Sequence, residues 1–153
     1  MKSEPSECSI DDLAQAQAQT LPWVGVRNYQ ARNFMRDVMC IGDGVLFYHS
    51  SCPQPQQVGI AGLAEVASPA YVDATQFDES SPYFDAKSSR QMPRWMHVDV
   101  RFVCKTKLLS LASMRADPFL NQMRLLQPGN RLSITPISPN EWAHLQTLLV
   151  ENP

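Results

Sequence analysis

The sequence lacks most of the features that mark a membrane, secreted or metal-binding protein. It contains no apolar run near the ~18 residues that a membrane helix requires, and residues 1–5 have none of the apolar core of a signal peptide. Its four cysteines form no C-x-x-C pair and its three histidines are widely separated, so the sequence holds neither a zinc motif nor a redox motif. We therefore expect a cytoplasmic protein with reduced thiols, no metal, no other cofactor and no membrane partner.

Catalytic motifs are missing as well. There is no G-x-S-x-G motif, no phosphate-binding glycine loop and no pair of histidines spaced to hold a metal on one helix face. The only conceivable catalytic cluster is Tyr48-His49-Ser50, and adjacent residues of a strand point to opposite faces of their sheet. Because His49 and Ser50 then do not readily form a nucleophile–base pair, the sequence favours a binding protein over an enzyme.

An excess of positive charge is absent too. The chain has 13 Lys and Arg residues against 15 Asp and Glu residues, which gives a net charge of −2 and a pI near 5.9. This balance argues against a protein that holds long nucleic acid through many phosphates. The basic residues are nevertheless concentrated in residues 87–115. Together with the arginines of residues 27–36 they form either one positive face or an ordinary solvated surface.

The most informative stretch that is present covers residues 23–36. It holds a Trp, a Tyr, two Asn and three Arg but no glutamate or aspartate, a mixture that is unusual for a buried helix and for a solvated one. An aromatic plane beside amide and guanidinium donors suits recognition of a flat heterocycle such as a nucleobase. Trp23 is the candidate stacking plane, and Asn28 is the candidate reader of a base edge. The structural alternatives are a core position for Trp23 and a helix cap for Asn28.

Apolar patterns bounded by turn residues predict four strands, at residues 45–50, 58–66, 95–104 and 131–137. The first two are expected to pair as a hairpin, and the two glycines inside the second predict a bulge or a close backbone approach. Residues 67–93 have little periodicity, and a connection of this length is usually functional or mobile.

Helices are predicted at residues 9–19 and 28–38, as short turns within residues 111–126, and from residue 138 onward, where Ser138 and Glu141 form a capping box. The expected buried positions of the second and last helices are Ala31, Phe34, Met35, Val38, Trp142, Leu145 and Leu149. Helices around a strand-rich centre predict an α+β domain with a curved or barrel-like sheet.

Several motifs resemble the EVE domain family. The clearest are Lys2-Ser3-Glu4-Pro5, Trp23-x-Gly25-Val26-Arg27-Asn28-Tyr29-Gln30-Ala31-Arg32-Asn33, Val45-Leu46-Phe47-Tyr48-His49-Ser50, Pro93-Arg94-Trp95 and Gly129-Asn130-Arg131-Leu132-Ser133. The likeness spans the chain in order. It implies a single domain over residues 1–153 with a PUA-like fold, a small β-barrel with flanking helices related to the YTH readers of methylated adenine in RNA.

The resemblance also implies a function. EVE domains are regarded as readers of modified bases, chiefly modified cytosines in DNA, without established catalytic chemistry. We therefore expect a non-catalytic, monomeric module that takes a flipped modified base into an aromatic pocket and works with a separate effector protein. The alternatives are an RNA-binding PUA-like domain and, less favoured, a small hydrolase or nuclease like those of the related ASCH group.

Site residues follow from the resemblance and from the local patterns. The predicted base-binding residues are Ser3, Glu4, Trp23, Asn28, Tyr29, Tyr48, His49, Ser50, Tyr71 and Trp95. The predicted phosphate contacts are Lys2, Arg27, Arg32, Arg36, Arg90 and Arg94, with Lys87 as a further candidate. Tyr71 and Trp95 are expected to complete an aromatic cage, although each can equally be a packing residue.

Three further expectations concern the frame around these residues. Arg131 is expected to hold the barrel together, and Trp142 is expected in the core. Family members usually carry a few aromatic and apolar residues ahead of the Met-Lys-Ser-Glu-Pro sequence, so Met1 falls inside the expected first strand. We therefore expect either a start further upstream or a shortened first strand, which bears on how Lys2, Ser3 and Glu4 are positioned.

Overall fold

The computed structural model describes residues 1–150, and a five-stranded mixed sheet forms its centre. Seven strands occur in these residues: β1 (Lys2–Ser3), β2 (Thr20–Pro22), β3 (Gly44–His49), β4 (Gly59–Val66), β5 (Tyr71–Val72), β6 (Met96–His97) and β7 (Asp99–Ser110). The main sheet has the order β1-β3-β4-β7-β2, with β1 parallel to β3 and the other pairs antiparallel. Strands β5 and β6 pair separately.

In residues 1–150, four α-helices flank the sheet, namely α1 (Ile10–Gln15), α2 (Tyr29–Asn33), α3 (Leu111–Ala116) and α4 (Pro139–Val150). The capping box predicted at the start of α4 is formed, and Ser9 and Asp12 form a second one at the start of α1. The backbone N–H of Ser138 donates to Oε2 of Glu141 at 2.6 Å, and the N–H of Glu141 donates to the Ser138 hydroxyl at 3.2 Å. Within residues 1–150, no helix has the length and apolar character needed to cross a membrane.

The predicted hairpin of β3 and β4 is confirmed, as is the irregularity at the glycines of β4. The register between β4 and β7 shifts between Ile60 and Gly62. A Cβ atom at Gly62 would lie 2.6 Å from the carbonyl oxygen of Cys104, so a side chain does not fit there. Strand β7 runs to Ser110, six residues beyond the predicted end at Cys104, because the alternation continues through the exposed residues Lys105 and Lys107.

The strand predicted over residues 95–104 is divided between β6 and β7, which belong to different sheets, and the helix predicted over residues 9–19 is α-helical only to Gln15. Two further predictions were wrong. Residues 131–137 form no strand, because Pro136 has no N–H to donate and the segment makes one backbone hydrogen bond to β1, from the N–H of Lys2 to the carbonyl of Ser133 at 2.7 Å. Val38 is not buried but 64% exposed. The helix that begins with α2 continues as a π-helical turn over Phe34–Val38, which adds a residue to the turn and moves Val38 off the buried stripe.

Two core clusters lie on opposite faces of β3. The first contains Val45 and Phe47 together with residues of α1 and α2, and the second contains Leu46 and Tyr48 together with Leu145 of α4 and other residues. This separation follows from the two-residue period of a strand. The side chain of Tyr48 is therefore committed to the second cluster, at 5% exposure.

Candidate nucleic-acid interface

A cleft of about 870 Å³ opens on the side of the first core cluster. It is formed by β1 with the turn after it, one side chain of α1, β2 with its connection to α2, the residues after β3, one side chain of the long 67–93 connection, and the segment before α4. The polar and aromatic residues that line it are Lys2, Ser3, Glu4, Glu7, Cys8, Trp23, Arg27, Asn28, Ser50, Ser51, Tyr83, Arg131 and Ser133.

Trp23 is both a cleft residue and a packing residue. Its ring meets Phe47 edge-on, with 5.5 Å between centroids and 84° between planes, and it packs against the first core cluster. The backbone N–H of Trp23 donates to the carbonyl of Val98 at 2.9 Å. The two interpretations of Trp23 are thus compatible, because the core fixes one part of a ring that still lines the cleft.

The cleft wall next to Trp23 depends on Gly25 and Tyr83. Gly25 has a φ of +84°, and a Cβ atom there would lie 2.6 Å from the ring of Tyr83. The Tyr83 ring therefore lies flat against the Gly25 backbone, which only glycine permits. Burial and a hydrogen bond between the Tyr83 hydroxyl and Glu7 raise the pKa of Tyr83.

A buried carboxylate holds this wall in place. Asp73 is 1% exposed and accepts hydrogen bonds from the N–H of Gly25 at 2.9 Å, from Nη1 of Arg27 at 2.8 Å and from the N–H of Thr75 at 2.9 Å. Burial by itself acts to raise the pKa of Asp73, but hydrogen bonds from Thr75, Arg27 and Gly25 outweigh it, and the pKa lies below its usual value.

Arg27 is consequently held in the cleft wall by protein partners, and its contact with phosphate stays a prediction. Besides Asp73, its guanidinium donates from Nε to the carbonyl of Tyr83 at 2.8 Å, from Nη1 to the carbonyl of Val26 at 3.1 Å and from Nη2 to the Thr75 hydroxyl at 2.9 Å. With these partners its donors are largely taken up by the protein itself.

The N-terminal segment lines the opposite part of the cleft. The Ser3 hydroxyl donates to the carbonyl of Cys8 at 2.7 Å, and the N–H of Ser50 donates to the carbonyl of Ser3 at 2.9 Å. Lys2 Nζ lies 3.5 Å from the carbonyl of Asn130, and Glu4 is exposed. The short β1 strand is formed and pairs with β3, so Lys2, Ser3, Glu4 and Ser50 all reach the cleft as expected.

Asn28 caps α2 and lines the cleft at the same time. Its side-chain oxygen accepts the N–H of Ala31 at 3.0 Å, which is the capping interaction. The amide nitrogen is then the part of Asn28 that can donate to a bound molecule.

Five of the predicted base-binding residues do not line the cleft. Tyr48 lies in the second core cluster and lines a separate, largely apolar cavity of about 410 Å³ instead. His49 Nε2 accepts the N–H of Ile10 at 3.1 Å, which holds the start of α1, and burial lowers the pKa of His49. The Tyr71 hydroxyl donates to Asp99 at 2.6 Å, and burial followed by this hydrogen bond raises the pKa of Tyr71 to about 12.

The fourth is Trp95, which is 6% exposed and donates from its indole Nε1 to Asp85 at 2.7 Å. Tyr71 and Trp95 therefore do not form an aromatic cage at this cleft. The fifth is Tyr29, whose ring stacks on Trp95 with 4.8 Å between centroids. The side chains of Tyr29 and Trp95 thus form a stacked pair beside the cleft rather than inside it.

The other arginines predicted to contact phosphate, Arg32, Arg36, Arg90 and Arg94, do not line the cleft. Arg36 is exposed and pairs with Asp37 at 2.6 Å, while the guanidinium of the exposed Arg90 lies 5.2 Å from the ring centroid of Phe77. Arg32 and Arg94 flank Tyr29. Arg131 is exposed and lines the cleft, so it does not hold the barrel together as expected.

Six polar or aromatic cleft residues were not predicted as site residues, namely Glu7, Cys8, Ser51, Tyr83, Arg131 and Ser133. The only signal for Tyr83 was the length of the 67–93 connection, since long irregular segments are often functional. Among residues 1–150, no three His, Cys, Asp or Glu side chains gather into a group able to hold a metal ion. The cleft offers an aromatic wall, carboxylate acceptors and amide, ammonium and guanidinium donors.

Comparisons with known proteins agree with this architecture. The EVE domain family model matches residues 1–148. Thymocyte nuclear protein 1 of Gallus gallus is 40% identical, over 100% of this chain and 69% of its own. A crystal structure from Pseudomonas putida is 45% identical with a TM-score of 0.90, covering 97% of this chain and 96% of that chain.

A third match is the crystal structure of the human THYN1 protein in complex with 5-methylcytosine-containing DNA. It is 38% identical to this chain, covers 100% of this chain and 97% of that chain, and has a TM-score of 0.90. These superpositions confirm the predicted α+β, PUA-like fold. The chain belongs to the EVE domain family.

Proposed function

We propose that this protein is a non-catalytic reader of a modified base, with modified cytosine in DNA as the preferred ligand. A flipped base enters the cleft and stacks against Trp23. The observation that carries the proposal is the position of Trp23 on the wall of a cleft of about 870 Å³, in a chain that is 38% identical to a protein crystallised with 5-methylcytosine-containing DNA. A cleft of that volume is within the usual range of about 300–1,000 Å³ for ligand sites.

The chemistry of the cleft suits the edge of a cytosine. A carboxylate accepts from the exocyclic amine of cytosine, and Glu4 and Glu7 are the carboxylates in the cleft. The amide nitrogen of Asn28 supplies a donor for an acceptor on the same edge. Leu13, Leu21 and Val26 add an apolar surface on which a methyl group can be buried.

Affinity is expected to be modest and sensitive to salt. Extruding a base costs a few kcal/mol, and stacking contributes ~1–3 kcal/mol per base. With a net charge of −2, phosphate contacts offset only part of the difference. Such a module is suited to act as a cytoplasmic monomer. A separate effector protein would then act on the nucleic acid that the module has bound.

The test is a binding panel of short oligonucleotides, single- and double-stranded, DNA and RNA. Each carries unmodified, 5-methylated or 5-hydroxymethylated cytosine, or N6-methylated adenine. The proposal requires a preference for one modified base that is lost in Trp23→Ala. A matched control is Trp142→Ala, which removes a partly buried Trp from the second core cluster on the other face of β3.

Two results would contradict the proposal. One is equal affinity for modified and unmodified bases, with binding that is lost at high salt concentration. The other is an unchanged base preference in a folded Trp23→Ala variant. A preference confined to RNA would instead favour the RNA-binding alternative.

A further inference from the structure

A second aromatic surface lies beside the cleft and is built around Tyr29. The Tyr29 side chain is 51% exposed, and its ring stacks on Trp95 with 4.8 Å between centroids and 20° between planes. Because Trp95 is only 6% exposed, the stacked pair presents Tyr29 to solvent. A half-exposed aromatic ring that is fixed from below is a surface on which another flat ring can stack.

The support beneath Tyr29 is held by polar groups. The indole Nε1 of Trp95 donates to Asp85 at 2.7 Å, and its backbone N–H donates to the Gln76 side-chain oxygen at 3.1 Å. Gln76 is fully buried and donates back to the carbonyl of Trp95 at 2.9 Å. With its indole and both backbone groups bound, Trp95 keeps Tyr29 in one orientation, which lowers the entropy lost when a ligand stacks on it.

Two guanidinium groups flank the exposed ring. Arg32 Cζ lies 4.8 Å from the Tyr29 ring centroid, and Arg94 Nη1 lies 3.4 Å from the Tyr29 hydroxyl. Arg32 is held by Asn33, through bonds of 3.0 and 2.7 Å, and by the carbonyl of Arg94 at 2.8 Å. Within residues 1–150, the guanidinium of Arg94 makes one hydrogen bond, the long one to Tyr29, and interacts with the charge of Asp85, so its remaining donors are available to a ligand. An aromatic plane beside cations fits a ligand with a flat ring and a negative charge, which describes a nucleotide.

The Tyr29 surface adjoins the cleft. Arg27 and Asn28 line the cleft, Tyr29 follows them directly in the chain, and the Arg27 guanidinium lies 5.5 Å from the Trp95 ring. We propose that Tyr29, Arg32 and Arg94 form a second nucleotide subsite. A base next to the one in the cleft stacks on Tyr29, and Arg94 contacts its phosphate. This subsite rests on the proposed function, because it takes a neighbour of the nucleotide that the cleft holds.

Ligand length separates the two sites. We would measure the affinity of the full chain for 5-methyldeoxycytidine monophosphate, which fills only the cleft, and for a single-stranded DNA pentanucleotide with 5-methylcytosine at its centre. Tyr29→Ala is expected to weaken pentanucleotide binding about tenfold, the loss of one stacked base, and to leave mononucleotide binding unchanged. Tyr29→Phe keeps the ring and is expected to bind like the wild type. Arg94→Gln is expected to reduce the slope of log affinity against log salt by about one.

The matched control is Phe119→Ala. Phe119 is 53% exposed and packs on another ring, that of His144 at 4.4 Å, in a part of the chain that lines neither cavity. Its removal is expected to change neither affinity. The subsite is overturned if Tyr29→Ala leaves pentanucleotide binding intact, or if it weakens mononucleotide and pentanucleotide equally.

The same data keep the two proposals apart. A wild type that does not distinguish 5-methylcytosine from cytosine overturns the proposed function. A gain in affinity with ligand length that depends on Tyr29 still supports the subsite in that case.

Discussion

At Gly25, a backbone φ of +84° and the ring of Tyr83 leave no room for a side chain. Gly25→Ala combines the strain of a left-handed residue, about 1–2 kcal/mol, with displacement of Tyr83 from the cleft wall. We expect the free energy of unfolding to fall by more than ~2 kcal/mol, together with a loss of base binding. Urea unfolding and oligonucleotide affinity measure both effects.

Gly42→Ala is the matched control for that substitution. Gly42 has a φ of +90°, but no atom lies within 4 Å of a Cβ placed there. The free energy of unfolding of Gly42→Ala should fall only by the strain of the left-handed backbone, about 1–2 kcal/mol, and the variant should keep its oligonucleotide affinity. Equal destabilisation by the two variants with intact binding would show that Tyr83 does not depend on Gly25.

Asp73, which holds this wall in place, makes the stability of the protein depend on pH. Its pKa in the folded state lies below the unfolded value of ~3.9, so its contribution to stability is fully present above about pH 4 and is lost as the pH falls through the folded pKa. Asp73→Asn is expected to cost about 3 kcal/mol at neutral pH, because it leaves Arg27 without its charge partner.

The Asp73→Asn variant should also lose less stability than the wild type between about pH 5 and pH 2. Urea unfolding at a series of pH values over that window checks the sign. Parallel pH curves for the two proteins would rule Asp73 out as the source of the dependence.

Single residues differ in how far sequence alone could predict them. Trp23 and Asn28 sit in an unusual local composition, and both line the cleft. Tyr83 also lines the cleft but has no such local signal. Its position depends on Gly25 and on the Asp73–Arg27 pair, whose members lie 46 residues apart in the chain. Trp95 is a residue type that is common in ligand-binding sites, but here its indole N–H donates to Asp85 of the protein itself.

Among the elements, the start of α2 can be tested for two roles at once. Asn28 caps the helix through its oxygen, while its amide nitrogen is the proposed donor to the base. Asn28→Ala is expected to lower stability by about 1 kcal/mol and to weaken binding. Asn28→Ser keeps a capping oxygen but has no amide nitrogen, so it should restore most of the stability without restoring binding.

Ser138→Ala provides the control for the loss of a cap, because it removes the capping oxygen of α4 away from the cleft. It should lower stability by about 1 kcal/mol without changing affinity. Full binding by Asn28→Ser would assign Asn28 to capping alone. Urea unfolding and oligonucleotide affinity are again the two measurements.

Elements were predicted best where the signal was local. The capping box of α4 and the β3–β4 hairpin follow from short motifs, and both are present. The π-helical turn at Phe34–Val38 has no such motif, so Val38 was placed on the wrong side. Residues 131–137 have the apolar content of a strand, yet they do not pair with the sheet. Pro136 has no N–H to donate, and β1 is only two residues long, so few backbone groups are available for pairing.

For the whole molecule, we expect the charge around the cleft to set the salt dependence of oligonucleotide binding. Arg131 is exposed at the cleft, and a residue that contacts one phosphate contributes about one unit to the slope of log affinity against log salt. Arg131→Gln should reduce this slope by about one and weaken modified and unmodified ligands equally. Arg115→Gln, at an exposed position of α3, is the control and should change neither. A selective loss for the modified ligand would instead place Arg131 on the base.

The cleft draws its walls from six separated parts of the chain: residues 2–8, Leu13, residues 21–28, residues 50–51, Tyr83 and residues 131–133. No fragment of the fold can therefore hold the ligand, and binding must be coupled by mass action to folding of the entire domain. Ligand at about a hundred times its dissociation constant adds about 2.7 kcal/mol to stability, which raises the Tm of a domain of this size by roughly 5–10 °C. Thermal unfolding thus becomes an assay for the base itself, one that needs neither a label on the nucleic acid nor any assumption about which modification it carries.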